Sequence, residues 1–70
     1  MKIAIIGLGY VGLPLFYLLS KNYTCIGLDK DFHRVNQLRE GIDYRECEKR
    51  HNIRKALLNS TLTSNYLDLS

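Results

Sequence analysis

The sequence predicts an α/β fold, with a parallel sheet of two or three strands and flanking helices, on three observations. Short apolar runs alternate with stretches of helical periodicity, and glycines stand where one changes into the other. The chain has 70 residues, of which 46% are hydrophobic and 24% charged, so it holds at most one small globular domain. Strands that alternate with helices favour parallel pairing through right-handed crossovers.

Three segments have the composition of strands. Residues 2–6 form an apolar run stopped by Gly7, and we expect a strand buried on both faces. Residues 23–28 predict a second strand that ends at Asp29. Residues 61–63 are compatible with a third, whereas residues 66–70 are too few to assign.

The first helix is predicted over residues 10–21. Pro14 lies in its first turn, where a missing backbone N–H is tolerated, and Asn22 is a candidate left-handed terminator. Its apolar positions are expected to form a stripe of Val11, Leu15, Leu18 and Leu19, widened by Leu13 and Phe16.

Two further helices follow the second strand. Asp31 is placed to cap one that Gly41 ends, with Phe32, Val35 and Leu38 facing inward. After a polar connection, a third helix is predicted over residues 48–59, with Ile53, Ala56 and Leu57 on one face.

The glycine motif G-L-G-Y-V-G occupies residues 7–12, between the first strand and the first helix. Gly7 permits the tight turn, Gly9 leaves room for a pyrophosphate to approach the backbone, and Gly12 lets the helix lie close to the strand. A bound pyrophosphate meets free N–H groups, best around Tyr10 and Val11, at the positive end of the helix dipole. The motif therefore predicts a partial Rossmann fold that binds a dinucleotide.

Asp29 stands at the end of the second strand, about 20 residues beyond the motif, where a ribose-binding acid is expected. Its carboxylate accepts hydrogen bonds from ribose hydroxyls and repels a 2′-phosphate, so NAD is favoured over NADP. Lys30 and Arg34 lie nearby in the sequence and soften this preference.

The first 15 residues, with the run G-L-G-Y-V-G-L-P, closely resemble the start of the UDP-glucose/GDP-mannose dehydrogenase family. The likeness continues through residues 27–29, 34–38 and 41–43 and weakens after Asp43. Within that family, the sequence is similar to the branch that oxidises UDP-N-acetylhexosamines for surface-polysaccharide synthesis.

This resemblance implies oxidation of C6 of a nucleotide sugar to a uronic acid, in two hydride transfers to two NAD. It implies that residues 1–70 are the N-terminal fragment of the NAD-binding domain, and that the sugar nucleotide binds only to the full-length parent. The family's catalytic cysteine lies far downstream and matches neither Cys25 nor Cys47, so the chain alone is not expected to catalyse the reaction. The cofactor contacts implied by the resemblance are Gly7, Gly9, Tyr10, Val11, Gly12, Asp29 and Arg34.

Two other functions compete with this interpretation. A non-catalytic module that senses NAD or another adenine nucleotide would carry the same fingerprint. Nucleic-acid binding through the basic residues Lys49, Arg50, Arg54 and Lys55 is disfavoured, because no aromatic residues are interleaved there for base stacking.

The remaining expectations concern partners and location. His33 and His51 are isolated, so no metal site is predicted, and no apolar run is long enough to span a membrane. No signal peptide is recognisable, which favours the cytoplasm. The first strand is expected to lie at an edge of the sheet with no neighbour on its outer side, and an unpaired edge of this kind predicts a homo-oligomer.

Overall fold

Three short parallel strands form the centre of the fold. The structure, a computed structural model, describes residues 2–69. Strands β1 (Lys2–Ile6), β2 (Thr24–Leu28) and β3 (Thr61–Thr63) lie in the order β1-β2-β3. Both pairings are parallel, with Gly27 of β2 opposite Ile5 of β1 and Leu62 of β3. The predicted α/β fold with a parallel sheet is confirmed, including its third strand.

Three α-helices connect the strands: α1 (Gly12–Ser20), α2 (Phe32–Arg39) and α3 (Arg50–Ala56). A 3₁₀ turn, Tyr66–Leu69, follows β3. In residues 2–69, no helix has the length and apolar character needed to cross a membrane. The predicted helices exist, but the first and third are shorter than expected at both ends.

The caps of α2 follow the sequence prediction. Asp31 accepts hydrogen bonds from the backbone N–H groups of His33 and Arg34, at 3.1 and 3.2 Å. At the other end Gly41 has φ +81°, and its N–H donates to the carbonyl of Leu38 at 2.9 Å. Such a left-handed residue closes the last helical turn, which is the role predicted for this glycine.

The end of α1 differs from the prediction. Asn22 does not adopt a positive φ, and the helix ends with Lys21 still in the right-handed region. The N–H groups of Asn22 and Tyr23 both donate to the carbonyl of Leu19, at 3.1 and 2.9 Å. These bonds satisfy the Leu19 carbonyl without a left-handed residue, so the terminator assigned to Asn22 was wrong.

One hydrophobic core lies between the sheet and the helices. Alternate strand residues supply one side of it and the inward helix residues the other. Gly27 is part of this packing, because a Cβ there would meet side-chain atoms of Leu62 and Leu8 at 2.9 and 3.0 Å. The buried members of the core are Ile5, Leu8, Leu13, Phe16, Cys25, Val35, Leu38, Ile53, Ala56 and Leu62.

The buried face of α1 is not the expected stripe. Leu13 and Phe16, predicted to widen the stripe, are its buried apolar residues, whereas Val11 is 80% exposed and Leu18 56%. The helix turns residues 13, 16 and 20 toward the sheet, and this rotation leaves Val11, Leu15 and Leu18 exposed. Leu19, the fourth member of the predicted stripe, stays partly buried against the core. On α2 the inward assignment of Phe32 was also wrong, since it is 57% exposed and Arg34 is buried instead.

Strand β1 is covered on one face only, so its predicted burial on both faces was wrong. Ile5 lies in the core beneath the helices, whereas Ala4 is exposed and Ile6 is 64% exposed on the opposite face. The reason is that all three helices contribute to a single core on one side of the sheet. On the other side the 3₁₀ turn lies near the ends of the strands, where Asp68 accepts a hydrogen bond from the Thr63 hydroxyl, and it leaves Ala4 and Ile6 exposed.

Candidate dinucleotide-binding site

The turn from β1 into α1 depends on two of the motif glycines. Gly7 has φ +91°, a conformation that L side chains rarely adopt, and its N–H donates to the carbonyl of Leu28 at 2.8 Å. Gly12 lies against this turn, because a Cβ built on it would be 1.7 Å from the carbonyl oxygen of Gly7. The helix therefore begins in direct contact with the end of the strand.

The middle of the motif is open to solvent. A Cβ on Gly9 would meet no atom within 4 Å, and the side chains of Tyr10 and Val11 are 75% and 80% exposed. Within the described residues, the N–H groups of Tyr10, Val11 and Gly12 have no protein acceptor, and no side chain caps α1. These donors, at the positive end of a helix with no acid in its first turn, suit an anion.

Asp29 is joined directly to the glycine loop. Its Oδ2 accepts a hydrogen bond from the N–H of Leu8 at 3.0 Å, and its Oδ1 accepts one from the N–H of Asp31 at 2.9 Å. Partial burial raises the pKa of Asp29, but these two bonds and the positive charges of Arg34 and Arg45 outweigh it and hold the pKa below its usual value. The carboxylate is therefore ionised at neutral pH.

Arg34 lies behind the loop rather than in front of it. Its side chain is only 3% exposed, and Nε donates to the carbonyl of Leu8 at 2.7 Å. Nη1 donates to Asp43 at 2.9 Å, and Nη2 donates to the sulfur of Cys47 at 3.6 Å. Its guanidinium is thus occupied by protein groups, and its sequence-based assignment as a cofactor contact stays a prediction.

Asp43 belongs to the same cluster, and sequence reasoning gave it no role. Its buried carboxylate accepts hydrogen bonds from Arg34 and from the N–H groups of Arg45, Cys47 and Glu48. Burial raises the pKa of Asp43, but these bonds and the charge of Arg34 outweigh it and hold the pKa below its usual value. The only sequence signal was its place in the resembling stretch 41–43.

The predicted site residues meet at the carboxyl ends of β1 and β2. The glycine loop, Asp29 and Arg34 are connected through the backbone of Leu8. A strand that turns through glycines into a helix with free N–H groups, beside an acid on the next strand, defines a dinucleotide-binding unit of the Rossmann type.

The chain belongs to the UDP-glucose/GDP-mannose dehydrogenase family, whose NAD-binding domain model matches residues 1–67. A UDP-N-acetyl-D-glucosamine 6-dehydrogenase of Pseudomonas aeruginosa is 49% identical over 43 residues, which are 61% of this chain and 10% of that protein. A UDP-N-acetyl-D-mannosamine dehydrogenase of Methanococcus maripaludis is 46% identical over 41 residues, 57% of this chain and 10% of that protein.

A solved structure gives the same fold. The UDP-D-ManNAc dehydrogenase of Pyrococcus horikoshii superposes on the whole of this chain with a TM-score of 0.90 and 27% identity, over 18% of its own length. The chain therefore spans about a tenth of the curated relatives it matches and less than a fifth of this structural neighbour.

Proposed function

We propose that residues 1–70 form the N-terminal part of an NAD-binding domain and that they bind the adenosine and pyrophosphate portion of NAD. The observation that carries this proposal is the hydrogen bond between Leu8 N–H and Asp29. It fixes an ionised carboxylate beside the open loop and the free N–H groups of α1. Gly7, Gly9, Tyr10, Val11 and Gly12 then receive the pyrophosphate through the backbone, and Asp29 accepts hydrogen bonds from the ribose.

The site discriminates against NADP. An ionised Asp29 repels a 2′-phosphate, and like charges brought together at a binding surface cost several kcal/mol. Arg34 is not available for a direct contact with the 2′-phosphate, because its guanidinium already donates to Leu8, Asp43 and Cys47. Lys30 and Arg45 are exposed, and they are nearby cations that soften the preference.

The reaction served by this domain is the oxidation of a UDP-N-acetylhexosamine at C6 to its uronic acid, in the cytoplasm and for surface polysaccharide synthesis. The relatives support the substrate class, since they are UDP-N-acetyl-D-glucosamine and UDP-N-acetyl-D-mannosamine dehydrogenases. NAD held by these residues would supply the acceptor for the hydride removed from C6. The nucleotide sugar binds in the full-length parent, and residues 1–70 alone do not catalyse the oxidation.

The proposal is tested by titrating the chain with NAD and NADP at matched ionic strength. We expect NAD to bind at least about tenfold more tightly than NADP. Asp29→Asn loses a charged acceptor and should weaken NAD binding about tenfold or more. Asp31→Asn is the matched control, because it removes the same charge two residues away and asparagine still caps α2. Equal affinities for NAD and NADP, or equal effects of the two variants, would contradict the assignment of Asp29.

A nucleotide-sensing module is the second candidate, favoured by the same open loop. The two candidates differ in the full-length protein, because a dehydrogenase reduces NAD when given a UDP-N-acetylhexosamine. A sensor binds the dinucleotide without reducing it. Absorbance at 340 nm during that incubation separates them.

Association of two copies through β1 completes the proposal. The strand lies at the edge of the sheet, and the exposed Ile6, Val11 and Leu15 lie along a groove beside it. Unpaired edges of this kind invite strand addition. Sedimentation equilibrium should show a concentration-dependent dimer that Ile6→Lys weakens. A monomer at every concentration would refute the association.

A further inference from the structure

Four groups are linked in series behind the glycine loop. Asp43 accepts a hydrogen bond from Arg34 at 2.9 Å, and Arg34 donates through Nε to the carbonyl of Leu8 at 2.7 Å. The N–H of Leu8 donates to Asp29 at 3.0 Å. The series thus runs from a loop between α2 and α3 to the acid predicted to bind the ribose.

Leu8 is held on both sides of its Cα. Its N–H belongs to one planar peptide and its carbonyl to the next, so the two hydrogen bonds fix both planes. The side chain of Leu8 is fully buried, which leaves the residue little freedom to adjust. Gly9, Tyr10 and Val11 follow Leu8 in the chain. The direction in which the free N–H groups of Tyr10 and Val11 point therefore depends on the orientation of the two peptide planes at Leu8.

Asp43 is the fixed end of the series. Three backbone N–H groups hold its carboxylate, those of Arg45 at 3.0 Å, Cys47 at 2.7 Å and Glu48 at 3.1 Å. The side chains of Asp43 and Arg34 are 2% and 3% exposed. A guanidinium at that depth requires a charged partner, so Asp43 determines where Arg34 can lie.

We propose that Asp43 is a positioning residue for the dinucleotide site, acting through Arg34 to orient the backbone of Leu8. Asp43 itself touches no cofactor. This inference rests on the proposed binding of NAD at residues 7–12 and Asp29. In this inference Arg34 stabilises the loop through its hydrogen bond to the Leu8 carbonyl, whereas the sequence predicts that Arg34 contacts the cofactor directly.

The test compares Asp43→Asn with Glu40→Gln, which removes the same charge from an exposed position at the end of α2. The first readout is the Leu8 amide resonance in the NAD-free chain. The second is the dissociation constant for NAD. We expect Asp43→Asn to move the Leu8 resonance and to raise the dissociation constant at least about fivefold, and Glu40→Gln to change neither.

A second variant keeps the test valid if Asp43→Asn fails to fold, because that single substitution leaves the Arg34 charge buried and unpaired. The double substitution Arg34→Met with Asp43→Asn removes both charges, and replacing a buried ion pair in this way is often tolerated. The Leu8 carbonyl still loses its donor, so the Leu8 resonance should move and NAD should bind as weakly as in the single variant.

Two results would overturn the inference. An unchanged Leu8 resonance in the folded variants would show that Asp43 does not orient the loop. Unchanged NAD binding by Asp43→Asn would show that Asp43 does not position the site, and tighter binding would indicate that a released Arg34 contacts the cofactor directly. If the wild-type chain binds no NAD, the proposed function fails, and the Leu8 resonance alone then decides whether Asp43 acts on the loop.

Discussion

Replacement of Gly12 by alanine should disrupt the junction between β1 and α1. The new Cβ would lie 1.7 Å from the Gly7 carbonyl oxygen and 2.9 Å from its carbon. Carbon and oxygen ordinarily approach to roughly 3.3–3.6 Å, so the helix must move by about 1.6 Å or more. The obstacle is backbone and cannot rotate away. We therefore expect the substitution to lower the free energy of unfolding by about 3 kcal/mol, the upper end of the range for overpacked substitutions.

Urea unfolding followed by circular dichroism measures this loss. About 3 kcal/mol lowers the folding constant more than 100-fold. A 70-residue domain has only about 4–10 kcal/mol of stability in total, by the usual value per residue. Gly9→Ala is the matched control, because its Cβ meets nothing within 4 Å and should leave the unfolding midpoint unchanged. Equal midpoints for the two variants would refute the close contact at Gly12.

Three further predictions follow from the same geometry. Gly7→Ala should cost about 1–2 kcal/mol from its positive φ alone, since its Cβ has open space, and an unchanged urea midpoint would contradict this. Folding lowers the pKa values of Asp29 and Asp43. The contribution of these two carboxylates to the free energy of unfolding should therefore be constant above about pH 5. It should fall as the pH drops below about 4 and the carboxylates are protonated in the folded state. Urea unfolding between pH 2.5 and 7 checks the sign, and a rise in stability on acidification would be inconsistent with it. Cys25 is fully buried and burial raises its pKa, so iodoacetamide should label the partly exposed Cys47 first. Mass spectrometry measures the two labelling rates, and equal rates would contradict the burial of Cys25.

The sequence predicted the features of the fold that depend on local chemistry. Asp31 and Gly41 bound α2 because a side-chain cap and a left-handed residue act within one helical turn. The alternation of strands and helices was sufficient to predict parallel pairing. The glycine motif with Asp29 was sufficient to predict a candidate site, because each of these residues has a separate steric or electrostatic requirement, and the assignment of its residues stays a prediction.

The failures concern tertiary environment. Helical periodicity in α1 fits more than one apolar face, and only the packed sheet selects Leu13 and Phe16 over Val11 and Leu18. The exposure of Ile6 depends on which side of the sheet the helices cover, and its own segment carries no information about that. Asp43 was missed for the same reason, because its partner Arg34 is nine residues away and on another element.

An amide nitrogen–proton NMR spectrum of the 70-residue chain, recorded with and without NAD, tests whether the glycine loop and Asp29 bind the dinucleotide. We expect dispersed resonances, of which those of residues 7–12 and Asp29 shift on addition of NAD. A dispersed spectrum that NAD leaves unchanged, or shifts confined to α3 and β3, would contradict the assignment of this loop as the dinucleotide site.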